Sequence, residues 1–212
     1  PKIKGGREYL KASPNKNNRI CAIIPFYNEK IFIREIISST SAFVEKIILI
    51  DDGSTDGTSE LVEVKDNIAL LKHKENLGKG IALNTGFREA IKLGFDLAIT
   101  IDADLQHNPT RIPDFIQAAR HFEIVTGNRL NDLSGMPLTR RFSNFTTSFL
   151  LSLKCRQKIQ DSQCGFRCYR VNILEEILPE SSGFEAESEI LIKASRKGYK
   201  IGSVEIPTIY GN

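Results

Sequence analysis

The triplet Asp102-Ala103-Asp104, followed by Gln106, stands directly behind the apolar run Leu97–Ile101. Two carboxylates one residue apart at the end of a strand can reach a single cation, and Gln106 adds a neutral oxygen. Hard ligands of this kind suit Mg²⁺ or Mn²⁺, which keep open positions for water or phosphate oxygens. An acidic triplet alone is common in surface loops, so its place at a strand tip is what favours a metal. Asp51-Asp52-Gly53-Ser54-Thr55-Asp56-Gly57 follows a second such run, KIILI. Here Asp52 can accept hydrogen bonds from a nucleotide base or ribose, while Ser54 or Asp56 caps the next turn. Behind a third run, Ile20–Ile24, come Pro25-Phe26-Tyr27-Asn28-Glu29. Pro25 ends the strand, and Tyr27 offers a ring suited to stacking on a base. Asn76-Leu77-Gly78-Lys79-Gly80 lacks both the GxGxxG and the Walker spacing. Lys79 at a helix N-terminus can still face a phosphate.

These clusters need a frame, and the apolar pattern supplies it. Strands are expected at 20–24, 46–51, 68–72 and 97–101, alternating with helices at 33–40, 58–64 and 79–93. Continuous apolar strands between helices imply an α/β, Rossmann-like, mostly parallel sheet covered on both faces. Such sheets bind ligands at the carboxyl ends of their strands, where every cluster above sits. In the second half, helices are expected at 114–121, 137–154 and 187–197, with extended segments at 123–127, 165–170 and 201–210. The helix at 137–154 carries one apolar stripe, Leu138, Phe142, Phe145, Phe149 and Leu153. Residues 1–18 read as a loose arm and 19–212 as a single domain without repeats or linkers.

Composition narrows the function classes. The chain has 212 residues, 41% hydrophobic and 26% charged, with a net charge of +3. That excludes a disordered chain and a disulfide mini-protein. No apolar run approaches the roughly 20 residues of a spanning helix, and the polar N-terminus carries no signal-peptide pattern. Residues 1–106 balance 15 basic against 15 acidic groups, whereas 129–170 hold eight basic residues against Asp132 and Asp161. This local excess favours a phosphorylated ligand or an anionic surface. No nucleic-acid-binding motif is present. Cys21, Cys155, Cys164 and Cys168 form no CxxC pair and read as reduced structural thiols of a cytosolic protein.

In order and spacing, IIPFYNE, IDDGSTDGT, NLGKGIALNTGF and IDADLQH resemble family 2 glycosyltransferases of the GT-A fold. Gly127-Asn128-Arg129, Arg140-Arg141, Asp161–Arg167, Gly183-Phe184 with Glu189, and Val204–Pro207 extend the resemblance to the branch containing dolichyl-phosphate mannose synthases and other polyprenyl-phosphate glycosyltransferases. The resemblance implies that Pro25, Tyr27, Glu29 and Asp52 hold the nucleotide. It implies that Asp102, Ala103 and Asp104 bind the donor, with Asp104 and Gln106 as ligands of Mg²⁺ or Mn²⁺. Arg129 is implied near the donor diphosphate or the acceptor phosphate, Arg140 near the acceptor phosphate, and Asp161 near the reacting sugar. One departure is Cys164, where many members carry serine.

The implied reaction moves a hexose from a nucleoside-diphosphate sugar to a polyprenyl phosphate with inversion. It implies a peripheral location on the cytoplasmic face of a membrane. Two alternatives remain. One is a family 2 enzyme with a sugar hydroxyl acceptor, which needs a base such as Asp161, Glu187 or Glu189; both glutamates could equally lie on an exposed helix face. The other is a non-catalytic nucleotide-sugar-binding module. The stripe at 138–153, with Arg140, Arg141, Lys154, Arg156 and Lys158 at its ends, could lie on a membrane or pack on the protein's own core.

Overall fold

The first four strands form where aliphatic and β-branched residues run together, and the second of them stops at Asp51. The computed structural model describes residues 18–129 and 138–207, the side chains of 138–143 excepted. Its strands are β1 (Ile20–Phe26), β2 (Lys46–Asp51), β3 (Ile68–Lys72), β4 (Leu97–Thr100), β5 (Ile124–Asn128), β6 (Arg167–Arg170) and β7 (Ile201–Glu205). They make one sheet in the order β3-β2-β1-β4-β6-β5-β7. All neighbouring pairs are parallel except those of β6, which runs antiparallel to both β4 and β5. Ile23 of β1 sits opposite Ile48 on one side and Thr100 on the other.

Helices α1 (Ile33–Ser41), α2 (Lys79–Lys92), α3 (Ile112–Ala118), α4 (Leu138–Cys155), α5 (Leu174–Ile177) and α6 (Glu185–Arg196) cover the sheet. The expected helix at 58–64 is only a 3₁₀ turn, Ser59–Leu61. Its hydroxyl Ser59 Oγ binds the buried carboxylate of Asp51, and Val62 then turns to an extended conformation. Two apolar layers result. One joins Ile23, Ile48 and Ile50 to Leu83 and Phe87 of α2 and Ile190 of α6. The other joins Ile24, Leu49 and Ile99 to Ile33 and Ile36 of α1 and Phe115 of α3. Phe115 stacks on Phe166 with ring centroids 4.3 Å apart.

Two features of this frame position the site. The chain leaves β1 toward β2 and β3, then returns to place β4 on the other side of β1. Strand order therefore reverses between β1 and β4, opening a crevice at their carboxyl ends. Gly86 lets α2 approach the sheet, since a Cβ there would stand 2.4 Å from Ile23 Cγ2.

The four cysteines are buried and free, and burial pushes the thiols of Cys21 and Cys164 up to about 12. Among the described residues no helix is long and apolar enough to cross a membrane.

Candidate functional site

Three loops at the strand tips lock together. Asn28, at φ 58°, donates its backbone N–H to Ser54 Oγ at 3.0 Å and accepts from Thr55 N at 2.9 Å through its amide oxygen. Gly53, at φ 78°, approaches so closely that a Cβ would stand 2.4 Å from the backbone of Glu75. Asp52 is the hub. Its Oδ1 accepts from Leu77 N at 3.0 Å and lies 2.7 Å from His73 Nδ1, and its Oδ2 accepts from Gly78 N at 2.8 Å. A carboxylate can only accept, so the His73 proton sits on Nδ1 in this pair. In the neutral ring, Nε2 then accepts from the Thr85 hydroxyl, 3.0 Å away. His73 stands outside every motif read from the sequence; only its place one residue past β3 hinted at a role.

A pocket of about 460 Å³ opens at the β1/β4 switch point. It is lined by Pro25, Tyr27, Glu29, Asp52, Lys79, Asp102, Ala103 and Asp104, together with Gly183 and Phe184 from the turn before α6. Eight sequence-expected residues thus meet in one cavity. Tyr27 is 44% exposed and lines it.

Charge inside the pocket is unevenly matched. Lys79 Nζ lies 2.7 Å from Asp102 Oδ1 and 3.1 Å from Glu187 Oε1. Burial opposes the charge of Lys79, but these two carboxylates outweigh it and hold its pKa above the ordinary lysine range. Burial likewise opposes ionisation of Asp102, yet Lys79 and then His107 keep it well below the usual carboxylate range. The sequence left Glu187 open as an exposed helix residue. It is instead buried between Lys79 and Arg167, the latter 3.8 Å away. Arg167, with no exposure, donates at 2.8 Å to the carbonyls of Ser162, Cys164 and Glu187, tying the 161–166 turn to α6. Glu189 points elsewhere, accepting from Glu180 N and Ser181 N and pairing with Lys193 at 2.6 Å. Although burial opposes it, this partnership lowers the Glu189 carboxyl to about 2.

The far wall of Asp102 is Gly165, where a Cβ would stand 2.3 Å from Asp102 Oδ2. His107 Nε2 lies 3.6 Å from the same oxygen, and its buried Nδ1 has no hydrogen-bond partner. Neither Gly165 nor His107 was singled out from the sequence. Leu105, at φ 58°, turns the chain back so that Gln106 N donates to Asp104 Oδ1 at 3.0 Å. Glu29 feels the opposite imbalance: burial, then Asp104 and Asp102, raise its pKa.

Arg129 and Asp161 form a separate forked pair beyond the tip of β5. Arg129 Nε and Nη2 donate to Asp161 at 2.8 and 3.2 Å, and Arg129 N adds a third bond at 3.3 Å. Asp161 is fully buried and also accepts from Gln163 N. Arg140 lies on α4, but its side chain is outside the described residues, as are Leu138 and Phe142 of the stripe.

Among the described residues no three His, Cys, Asp or Glu side chains form a metal-holding group. The donor set still fits a hard divalent cation. Asp104 accepts one backbone hydrogen bond, Gln106 adjoins it, and Glu29 and Asp102 line the same pocket. Mg²⁺ is commonly held by one or two carboxylates plus substrate phosphates rather than by an all-protein cage.

A mostly parallel α/β sheet with acidic strand tips around a switch-point pocket is a frame that binds a ligand at the strand carboxyl ends. Residues 21–178 match the sequence model of glycosyl transferase family 2, and the chain belongs to that family. It is a glycosyltransferase of the GT-A fold. It is 34% identical over 215 residues to the UDP-N-acetylglucosamine–dolichyl-phosphate N-acetylglucosaminyltransferase of Methanococcus voltae, covering 90% of this chain and 86% of the relative. An uncharacterised protein of Methanocaldococcus jannaschii is 32% identical, with 91% and 82% covered. Glucosyl-3-phosphoglycerate synthase of Mycobacterium tuberculosis, solved with Mn²⁺, UDP and glucosyl-3-phosphoglycerate, shares the fold at a TM-score of 0.72. That match covers 92% of this chain and 73% of the synthase at 20% identity.

Proposed function

We propose that the enzyme moves a hexose-type sugar from a nucleoside diphosphate to a polyprenyl phosphate of the dolichyl class, with inversion at the anomeric carbon. The observation carrying this reading is the single pocket lined both by Tyr27 and Asp52 and by Glu29, Asp102 and Asp104. In it the Tyr27 ring stacks on the base, while Asp52, Pro25 and Glu29 border the nucleoside. Asp104 and Gln106, with Asp102 beside them, would hold Mg²⁺ or Mn²⁺. Such a cation, when bound, supplies Lewis-acid stabilisation of the charge on the leaving diphosphate. Lys79 adds a fixed positive charge next to Asp102.

The acceptor side favours phosphate over a sugar hydroxyl. A phosphate monoester is ionised near neutral pH, because its second pKa is about 6. One of its oxygens attacks the anomeric carbon as the bond to the diphosphate oxygen breaks, and no base is needed. A hydroxyl acceptor would need one, yet the three carboxylates named above as candidate bases are each bound to a cation. Asp161 is held by Arg129, Glu187 by Lys79, and Glu189 by Lys193. Asp161 therefore acts by orienting Arg129, which with Arg140 receives the acceptor phosphate. The relative named for transfer to dolichyl phosphate supports this acceptor class. An acceptor of that kind puts the enzyme at a membrane surface, on the cytoplasmic face.

The test offers UDP- and GDP-sugars with polyprenyl phosphate, with and without Mg²⁺ or Mn²⁺, and weighs the lipid product by mass spectrometry. Metal-dependent gain of one sugar on the lipid is expected. Transfer to an oligosaccharide hydroxyl, with the lipid unmodified, would overturn the acceptor assignment.

A further inference from the structure

The apolar stripe on α4 resolves into two faces. Asn144, Ser148, Leu151 and Cys155 turn inward; Ser148 Oγ bonds Ser162 Oγ at 3.1 Å and accepts from Ser162 N at 3.0 Å. Phe145, Phe149, Leu150 and Leu153 turn outward and are 66%, 54%, 59% and 62% exposed. Phe145 and Phe149 stack on each other, centroids 6.5 Å apart, and both rings stay exposed. Single exposed apolar residues are ordinary, whereas four on adjoining turns of one helix mark an interaction surface.

The charges around this face decide what covers it. Lys154, Arg156 and Lys158 are exposed at its C-terminal end, and none forms an ion pair with a described residue. A groove of about 520 Å³ runs beside the helix, lined by Phe145, Phe149, Leu153, Arg156 and Lys158 and, among the described residues, by no carboxylate. An apolar ridge with unpaired cations beside it matches the headgroup layer of an anionic bilayer. A second copy meeting the same face would set like charges against like. The groove also reaches Asn128 and Gln160, the chain neighbours of Arg129 and Asp161.

We propose that the outward face of α4 docks this enzyme on an anionic membrane, inserting Phe145 and Phe149 and setting Lys154, Arg156 and Lys158 among the headgroups. The inference rests on the polyprenyl-phosphate reading, to which it adds the orientation. With α4 on the bilayer, Arg129 stands beside the plane where a lipid phosphate lies.

The experiment is flotation of the full chain with phosphatidylglycerol-containing and pure phosphatidylcholine vesicles at low and high salt. Binding to the anionic vesicles is expected, weakening as salt rises. Neutralising Lys154, Arg156 or Lys158 to glutamine should weaken it about fivefold each. Phe145→Ser/Phe149→Ser should lower it more than tenfold with circular dichroism unchanged, since both rings are exposed. Transfer to a short, water-soluble polyprenyl phosphate should be the same for wild type and these variants. Wild-type protein that remains unbound on anionic vesicles at low salt overturns the proposal, as does a double phenylalanine variant that still floats. A stable dimer broken by Phe145→Ser would also overturn it, assigning the face to self-association. Wild type that floats but transfers nothing to any polyprenyl phosphate would refute the catalytic reading while leaving the docking intact.

Discussion

Replacing His73 separates the two roles open to Asp52. The carboxylate is held by three donors, His73 Nδ1 at 2.7 Å, Gly78 N at 2.8 Å and Leu77 N at 3.0 Å. His73→Leu removes the first and strands the Thr85 hydroxyl that faced Nε2. A hydrogen bond to a charged group contributes about 1.5–3 kcal/mol. For a domain of this size each kcal/mol shifts the melting temperature by about 2–4 °C, so a fall of roughly 3–12 °C is expected. If Asp52 also holds the nucleotide, its loosened carboxylate should cost up to about ten- to hundredfold in UDP affinity. His73→Asn can keep an N–H toward Asp52 Oδ1 and should recover part of both losses. Differential scanning fluorimetry and titration calorimetry with UDP read the two effects separately. Lowered stability with unchanged affinity would make Asp52 a loop clamp only. Unchanged stability and affinity in His73→Leu would refute the whole account of the hub.

Asp104→Asn should abolish transfer and weaken donor binding, and chelation should do the same to the wild type; full activity of the variant at saturating donor would remove Asp104 from the metal site. Gly165→Ala pushes a methyl into Asp102 and should lower kcat/KM at least tenfold, because displacements near 1 Å can cost about a hundredfold; wild-type kinetics in this variant would refute the tight fit. Glu29→Gln should raise the melting temperature of the ligand-free protein at pH 7 and above. The folded pKa of Glu29 is raised, so its ionised form opposes folding above that pKa and the gain should vanish below about pH 4.5, its ordinary value. Glu189→Gln should do the reverse: with a folded pKa of about 2 against an ordinary 4.5, its contribution is full above pH 4.5 and is lost as pH falls toward 2. Melting curves across pH check both signs.

The strands β1, β2, β3 and β4 were legible because parallel strands buried on both faces carry unbroken apolar runs. The acidic clusters at their ends were legible for the same reason, since a polar residue after such a run has to stand at a strand tip. Sequence periodicity could not show that β6 runs antiparallel between β4 and β5, because pairing direction leaves no mark on one strand. Nor could it orient α4. The spacing of Phe145, Phe149 and Leu153 defines a stripe, while the inward face carries Asn144 and Ser148, whose polar side chains are buried. Glu187 was obscured by proximity to Glu189: two carboxylates on one helix look alike in sequence, and only the packing of Lys79 and Arg167 around one of them tells them apart.

The ion pairs form a pattern that bears on how the site loads. Asp102 and Glu187 share Lys79, and Asp161 has Arg129, so each of these charges is met inside the protein. Asp104 and Glu29 have no cationic partner among the described residues, and burial, then the nearby Asp104 and Asp102, disfavour the charge of Glu29. An unmatched charge that costs stability in the free protein is stabilised by whatever cation binds there. Donor diphosphate brings negative charge of its own, so donor and divalent cation should each bind better in the presence of the other. The sequence separates these roles by one alanine: Asp102 faces the protein's own lysine, and Asp104, turned by the left-handed Leu105, faces the pocket.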